Sequence, residues 1–190
     1  MPLLGPGHPL GHCPRRVLVA GVSGSGKTTL ATRIADLIGA PHVEIDALFH
    51  GPGWTPRPEF VEEVEEFSAG PAWTTEWQYS EVRPLLLERC DLLVWLDLPT
   101  VTVMRQVVTR TLRRRWRREV LWNGNVEPAL WTFLTDREHI VRWAWSTRGH
   151  PRRRVRAALS EHPELAVVRL RSHAESKRWL SEVLAPVTSS

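Results

Sequence analysis

Apolar residues fall into two rhythms along the chain, and the alternation between them predicts the architecture. Residues 17–20 (Val-Leu-Val-Ala) form a short unbroken apolar run bounded by polar and glycine positions, which predicts a buried strand. From Lys27 the spacing changes to that of an amphipathic helix, with Leu30, Ile34, Leu37 and Ile38 on one face and Gly39 as the stop signal. A second strand is expected over 42–45, ending at Asp46. A Pro/Gly-rich loop over 51–58 separates it from an acidic helix near 59–67, and a third strand follows at 73–76. A helix near 80–89 leads to the strongest strand signal, Leu92-Leu-Val-Trp-Leu96, which ends at Asp97. From Thr100 a long basic helix runs to about Arg118. Asn123-Gly-Asn125 then marks a turn, 127–147 read as helical and tryptophan-rich, and a basic helix covers about 151–160. A last strand at 166–170 and an amphipathic helix at 173–184 complete the pattern. Short apolar strands alternating with helices predict a parallel sheet covered on both faces, and no internal repeat is present.

The segment 1–14 stands outside this pattern. Its four prolines and three glycines predict a disordered tail, and His8, His12 and Cys13 on such a segment carry no metal-site expectation. The remaining 15–185 is expected to be a single domain. Within the 190 residues no apolar run is long enough for a membrane span, and the first residues lack the basic and apolar regions of a signal peptide. With only Cys13 and Cys90, a disulfide framework is excluded and a cytoplasmic setting is expected. Charge is divided unevenly. Residues 1–95 carry 7 Lys/Arg against 12 Asp/Glu, and residues 96–190 carry 18 against 9. A basic half built almost wholly from arginine suits phosphate-bearing partners, nucleotide or nucleic acid. The two lysines are Lys27 and Lys177.

Lys27 stands in the sharpest motif of the chain. Gly21-Val-Ser23-Gly24-Ser25-Gly26-Lys27-Thr28 matches G-x-x-x-x-G-K-[ST] between a predicted strand and a predicted helix, the context that the motif requires. The glycines allow close backbone approach, and the loop amides with the helix N-terminus converge on a polyphosphate. Lys27 supplies a point charge to the β- and γ-phosphates, and the Thr28 hydroxyl is a ligand for Mg²⁺. Gly21, Ser23, Gly24, Ser25, Gly26, Lys27, Thr28 and Thr29 are therefore the expected ATP-binding residues. A glycine loop that merely caps a helix is the alternative reading.

Ligands of open parallel sheets bind beyond the carboxyl ends of the strands. Three predicted strands end in acids there, Asp46, Glu76 and Asp97. Asp46, with Glu44 on the same predicted strand face, can accept a hydroxyl proton from an acceptor, or else simply caps the loop. Glu76 and Asp97 compete for the Mg²⁺-organising role, Asp97 also being readable as the start of the next helix. Phe49, His50 and Trp54 could wall an aromatic acceptor pocket, or a loop tryptophan could plug the core; Tyr79 is a further acceptor-binding candidate, and Arg83 after it is suited to an acceptor phosphate or carboxylate. On the long helix Arg110, Arg114 and Arg117 share one face. Folded over the nucleotide as a lid (about 110–126), that face would neutralise charge on the transferred phosphoryl group, with Arg110 and Arg114 as catalytic arginines. The other reading is a solvated basic face.

Gly21 to Thr29, Ile45-Asp46-Ala-Leu, Pro52-Gly-Trp54, Trp73-Thr-Thr-Glu76 with Tyr79 and Arg83, Val94-Trp-Leu-Asp-Leu-Pro99, Arg110-Thr-Leu-Arg113 and Asn123-Gly-Asn-Val-Glu127 occur in this order. Together they resemble the small adenylate-kinase-like P-loop proteins labelled DNA topology modulation proteins, relatives of the nucleotide and shikimate kinases. The resemblance implies a three-layer α/β/α sandwich with five parallel strands in the order 2-3-1-4-5 and a helical arginine lid. It also implies ATP with Mg²⁺ as cofactors. One segment departs, since the family's Asp-Gly-Asn-Tyr is here Glu76-Trp-Gln-Tyr79, with Trp77 in place of glycine. Three activities are consistent with the sequence. They are an ATP:acceptor phosphotransferase acting on a nucleotide or small metabolite, a nucleic-acid-associated ATP-binding regulator, and a plain ATPase. The arginines lack the interleaved aromatic platform of a nucleic-acid reader, which favours the first.

Overall fold

A computed structural model describes residues 3–117 and 150–188, with side chains described over 3–110 and 152–188. The expected turn at 123–125, the tryptophan-rich 127–147 and most of the 110–126 lid lie outside the described residues.

The elements in chain order are β1 (Leu3–Leu4), β2 (Arg16–Gly21), α1 (Lys27–Ile38), β3 (His42–Val43), α2 (Ile45–Phe49), α3 (Phe60–Ser68), β4 (Trp73–Glu76) and α4 (Arg83–Arg89). After them come β5 (Leu92–Leu96), α5 (Thr100–Arg117), α6 (His150–Glu161), β6 (Ala166–Leu170) and α7 (His173–Trp179). A π-helical stretch, Leu180–Leu184, and a short helix, Ala185–Thr188, continue from α7. All six strands pair in parallel in the order β1-β6-β5-β2-β4-β3. Without β1 this is the expected five-stranded order, with the phosphate-loop strand β2 at the centre.

Alternation along each strand sorts the side chains into two apolar layers. Val17, Val19, Leu92, Val94, Leu96, Val168 and Leu170 face α1, α5 and the C-terminal helices, where Ile34, Val107, Trp179 and Leu184 are fully buried. Leu18, Ala20, Leu93, Trp95 and Val167 face the opposite way, against Ile45, Phe60, Val64, Leu86 and Val155 of α2, α3, α4 and α6. These two layers hold the central strands rigid and leave their carboxyl ends to carry loops. α7 opens with Ser172, whose hydroxyl accepts from Glu175 N at 3.0 Å while Glu175 accepts from Arg171 N at 2.7 Å.

Three differences from the sequence expectation have physical causes. The N-terminal segment is not wholly without structure, because Leu3 and Leu4 pair with Val167 and Val168 on the open edge of β6, and Leu10 packs against the core. An apolar pair beside an uncovered strand edge satisfies its backbone groups there. The second strand stops at Val43, and Ile45 and Asp46 instead begin a helix. Ile45 N donates to the buried Glu76 carboxylate at 3.2 Å, so the acid at the end of β4 fixes the start of α2. Asp46 and Glu44 therefore do not share a strand face, Glu44 being the N-cap of α2. Finally, α4 begins at Arg83, later than the pattern suggests, with Pro84 in its first turn.

Candidate functional site

The turn from β2 into α1 brings the loop glycines into conformations that require glycine. Gly24 and Gly26 have φ of +77° and +90°, and an ideal Cβ on Gly24 would lie 2.2 Å from Val107 Cγ2 of α5. Gly24→Ala is therefore expected to misplace the loop, costing about 1–3 kcal/mol of stability and weakening ATP binding. Unfolding and nucleotide titration of the variant check this, and unchanged ATP affinity would contradict it.

At Gly21 a Cβ would sit 2.6 Å from Ser25 Oγ. That hydroxyl is fully buried and, among the described residues, has no hydrogen-bond partner. A loop of converging amides with an orphaned hydroxyl inside it is a cradle suited to phosphate oxygens. Lys27, the first residue of α1, is 7% exposed and its Nζ donates to Val22 O at 3.2 Å, folding back over the same loop. Burial pushes its ammonium below the ordinary lysine range, Asp46 and Glu76 pull it back up, and Arg110 adds to the lowering. Lys27 thus feels Asp46, Glu76 and Arg110 of α5. Arg110 is half-buried on α5. Arg114 lies one turn further along the same helix, and its side chain is outside the described residues.

Glu76 is 1% exposed at the end of β4, in register with Val19 of β2. His42 Nε2 meets its Oε1 at 3.2 Å and Ile45 N donates to its Oε2. Burial acts to raise its pKa, but His42, the Ile45 amide and the Thr28 hydroxyl together hold the carboxyl below its ordinary range. Glu76 is therefore an ionised acid beside the phosphate-loop threonine. His42 escaped the sequence reading because a lone histidine at a strand start carries no pattern, and only the β3–β4 pairing reveals it. Its Nδ1 also meets Thr32 Oγ1 at 3.1 Å, which ties α1 to β3.

Asp97 proves to be engaged elsewhere, which argues against the metal role considered for it. It is 8% exposed, Arg152 Nε donates to its Oδ1 at 2.8 Å, and Arg169 Nε donates to its Oδ2 at 2.8 Å. Arg169 in turn lies over the Trp95 ring, 4.9 Å from its centroid. Two guanidiniums neutralise this carboxylate, and it fastens the start of α6 to the ends of β5 and β6. The basic residues that claim it lie 55 and 72 positions away, too distant for a local motif to signal. Asp97→Asn is expected to cost on the order of 1–3 kcal/mol of stability while leaving the Mg²⁺ dependence of activity unchanged. A shifted Mg²⁺ titration without loss of stability would restore the metal reading.

On the far side of Lys27, α2 carries Asp46. Tyr79 Oη donates to Asp46 Oδ1 at 2.6 Å and Gln78 Nε2 donates to the same oxygen at 3.0 Å. His50 Nε2 lies 3.2 Å from Tyr79 Oη. Burial, followed by the charge and hydrogen bond of Asp46, pushes the Tyr79 phenol far above its ordinary range, so it remains a donor. Phe49 is half-buried, stacked on Tyr79 at 4.0 Å between ring centroids and edge-on to Phe60 at 5.1 Å, so one of its faces belongs to the packing around Tyr79. Trp54, at 36% exposed and in a left-handed backbone conformation, is more exposed than the half-buried Phe49, His50 and Tyr79 and lies edge-on to His50. Trp77 is buried in the layer of Leu18, Leu93 and Trp95, with Nε1 donating to Arg83 O at 3.2 Å. Arg83 is half-buried at the start of α4; burial, and then the neighbouring Arg154, lower its pKa.

Among the described residues no three His, Cys, Asp or Glu side chains cluster as a metal cage, and no helix is long and apolar enough to cross a membrane. A Mg²⁺ ion here would thus be held by few protein oxygens together with phosphate oxygens, which fits Thr28 beside Glu76.

No protein-family model and no curated protein matches the sequence. Solved structures do. A gluconokinase from Sinorhizobium meliloti 1021 superposes with a TM-score of 0.52 at 20% identity, covering 94% of this chain and 95% of its own. A shikimate kinase from Acinetobacter baumannii in complex with shikimate gives a TM-score of 0.47 at 14% identity over 92% of this chain and 93% of its own. The chain has the parallel α/β fold of P-loop kinases.

Proposed function

We propose that this protein is an ATP:acceptor phosphotransferase, with a small hydroxylated metabolite or a nucleotide as acceptor. One observation carries the reading. The phosphate-loop lysine at the start of α1 and the acid Asp46 of α2 both follow parallel strands at the carboxyl edge of one sheet, and the charge of Asp46 partly offsets the burial that lowers the lysine's pKa. A plain nucleotide-binding loop has no need of a second, hydrogen-bonded carboxylate across from its lysine.

In this reading the amides of 21–28 and Ser25 bind the polyphosphate, and Lys27 draws negative charge off the group in transfer. Thr28, with Glu76 behind it, holds Mg²⁺, which neutralises phosphate charge when bound. Asp46 accepts the proton of the acceptor hydroxyl as that oxygen attacks phosphorus, and Arg83 binds an anionic group of the acceptor. Arg110 and Arg114 approach the phosphoryl group from α5.

ADP formation from ATP and Mg²⁺, measured against nucleoside monophosphates, nucleosides and sugar-like acids, tests the proposal. At least one acceptor is expected to raise ADP formation well above the acceptor-free rate. An equal rate with every acceptor and with none would contradict it.

A further inference from the structure

The acid that the proposed chemistry uses as its base sits on α2, a helix of only five residues, and something must hold it. We propose that Tyr79 and His50 form a positioning chain for Asp46, and that the Tyr79 hydroxyl serves Asp46 and does not bind the acceptor. This rests on the phosphotransferase reading for its consequence, though not for its geometry. The phenol has one proton, and it is donated to Asp46 Oδ1 at 2.6 Å, a carboxylate oxygen acting as acceptor. The 3.2 Å contact between Tyr79 Oη and His50 Nε2 must then be donated by the imidazole. The chain therefore runs one way, His50 Nε2–H to Tyr79 Oη–H to Asp46 Oδ1, and a neutral His50 is fixed as the Nε2-protonated tautomer. With Gln78 on the same oxygen, Oδ1 takes two donors, which leaves Oδ2 to the acceptor hydroxyl.

The surroundings are arranged around this chain. Asp46 in α2 and His50, the residue that caps its C-terminus, are four residues apart, and His50 N donates to Asp46 O at 3.1 Å, so the Tyr79 hydroxyl bridges two groups joined by one closing turn. Tyr79 reaches them from a backbone φ of +55°, a left-handed conformation seldom adopted by a residue with a bulky side chain. Its carbonyl is held by Arg83 N at 3.1 Å. Its ring is stacked on Phe49 with planes 21° apart and meets Phe60 at 5.2 Å. The strained backbone and the packed ring both serve to place a single hydroxyl between His50 and Asp46.

The test uses the full chain and two readouts. Long-range ¹H–¹⁵N spectra of the free protein should show His50 as the Nε2–H tautomer, shifting toward the mixture of tautomers in Tyr79→Phe, which keeps the ring. This arm needs no acceptor, so it can fail while the phosphotransferase reading stands. An Nδ1–H tautomer in the wild type, or no response to Tyr79→Phe, would overturn the chain. The second arm follows ADP formation with gluconate and with adenosine monophosphate as probes. Tyr79→Phe should lower kcat roughly ten- to hundredfold with acceptor KM nearly unchanged, and should cause no further loss when added to Asp46→Asn. A raised acceptor KM at constant kcat, or losses that multiply in the double variant, would make Tyr79 an acceptor contact and refute the proposal. His50→Gln, which keeps a donor near the Nε2 position, should retain most of the activity lost in His50→Leu, and equal losses in the two would also count against it. If Tyr79→Phe fails to fold, the histidine pair and the wild-type tautomer still decide the matter.

Discussion

Lys27→Ala is expected to lower ATP-dependent phosphoryl transfer by about 10³-fold or more while the protein stays folded. The side chain is 7% exposed and partly stripped of water, so its charge is less screened than that of a surface lysine. Its position at the first turn of α1, folded back on Val22 O, places that charge inside the loop meant for phosphate. The other lysine, Lys177, is on α7 and cannot substitute. α1 itself is anchored by Leu30, Ala31 and Ile34, packed with Val17, Val19 and Val94 of the sheet, and none of these depends on Lys27. Steady-state kinetics together with a thermal melt check both halves of the expectation. More than a few per cent of wild-type kcat in a folded variant would remove Lys27 from the chemistry.

Asp46→Asn should lower kcat by about 10²-fold or more and leave ATP affinity nearly unchanged. Asparagine keeps an Oδ1 that can accept from Tyr79 and Gln78, so the local hydrogen bonds survive and only the charge and basicity are lost. Loss of a base also removes the acidic limb of the pH–rate profile, a change that mere repacking of α2 would not cause. If ATP binding and acceptor turnover fell equally, Asp46 would belong to the nucleotide shell or to the scaffold.

What could be read from the sequence was local. The bounds of α1, β4, β5 and β6 follow from runs of apolar residues and from Gly39, and the phosphate loop follows from residue types at fixed spacing. Asp46 is in the candidate site, but its element was misread, because the amide of Ile45 answers to a carboxylate 31 positions later. Glu76 and Asp97 could not be told apart by pattern, since each stands at the carboxyl end of a strand, and the better local form, an apolar run followed by an acid, belongs to Asp97. The arginines that neutralise Asp97 and the Thr28–His42–Ile45 shell around Glu76 exist only once the sheet is assembled. His50 and Tyr79 were separable residues in the chain, and the contact that joins them depends on a left-handed backbone at a tyrosine, which no propensity anticipates.

The central claim is that a phosphoryl group leaves ATP for a small acceptor bound beside Asp46. It is tested most directly by following the fate of γ-labelled ATP in a single turnover with the best acceptor of the panel. The account predicts label on the acceptor in the wild type and label remaining on ATP in Lys27→Ala and, over the same interval, in Asp46→Asn. Label appearing only as inorganic phosphate would mean an ATPase. Label staying on ATP in the wild type, alongside salt-sensitive DNA binding, would mean a nucleotide-binding regulator, and either result would contradict the account.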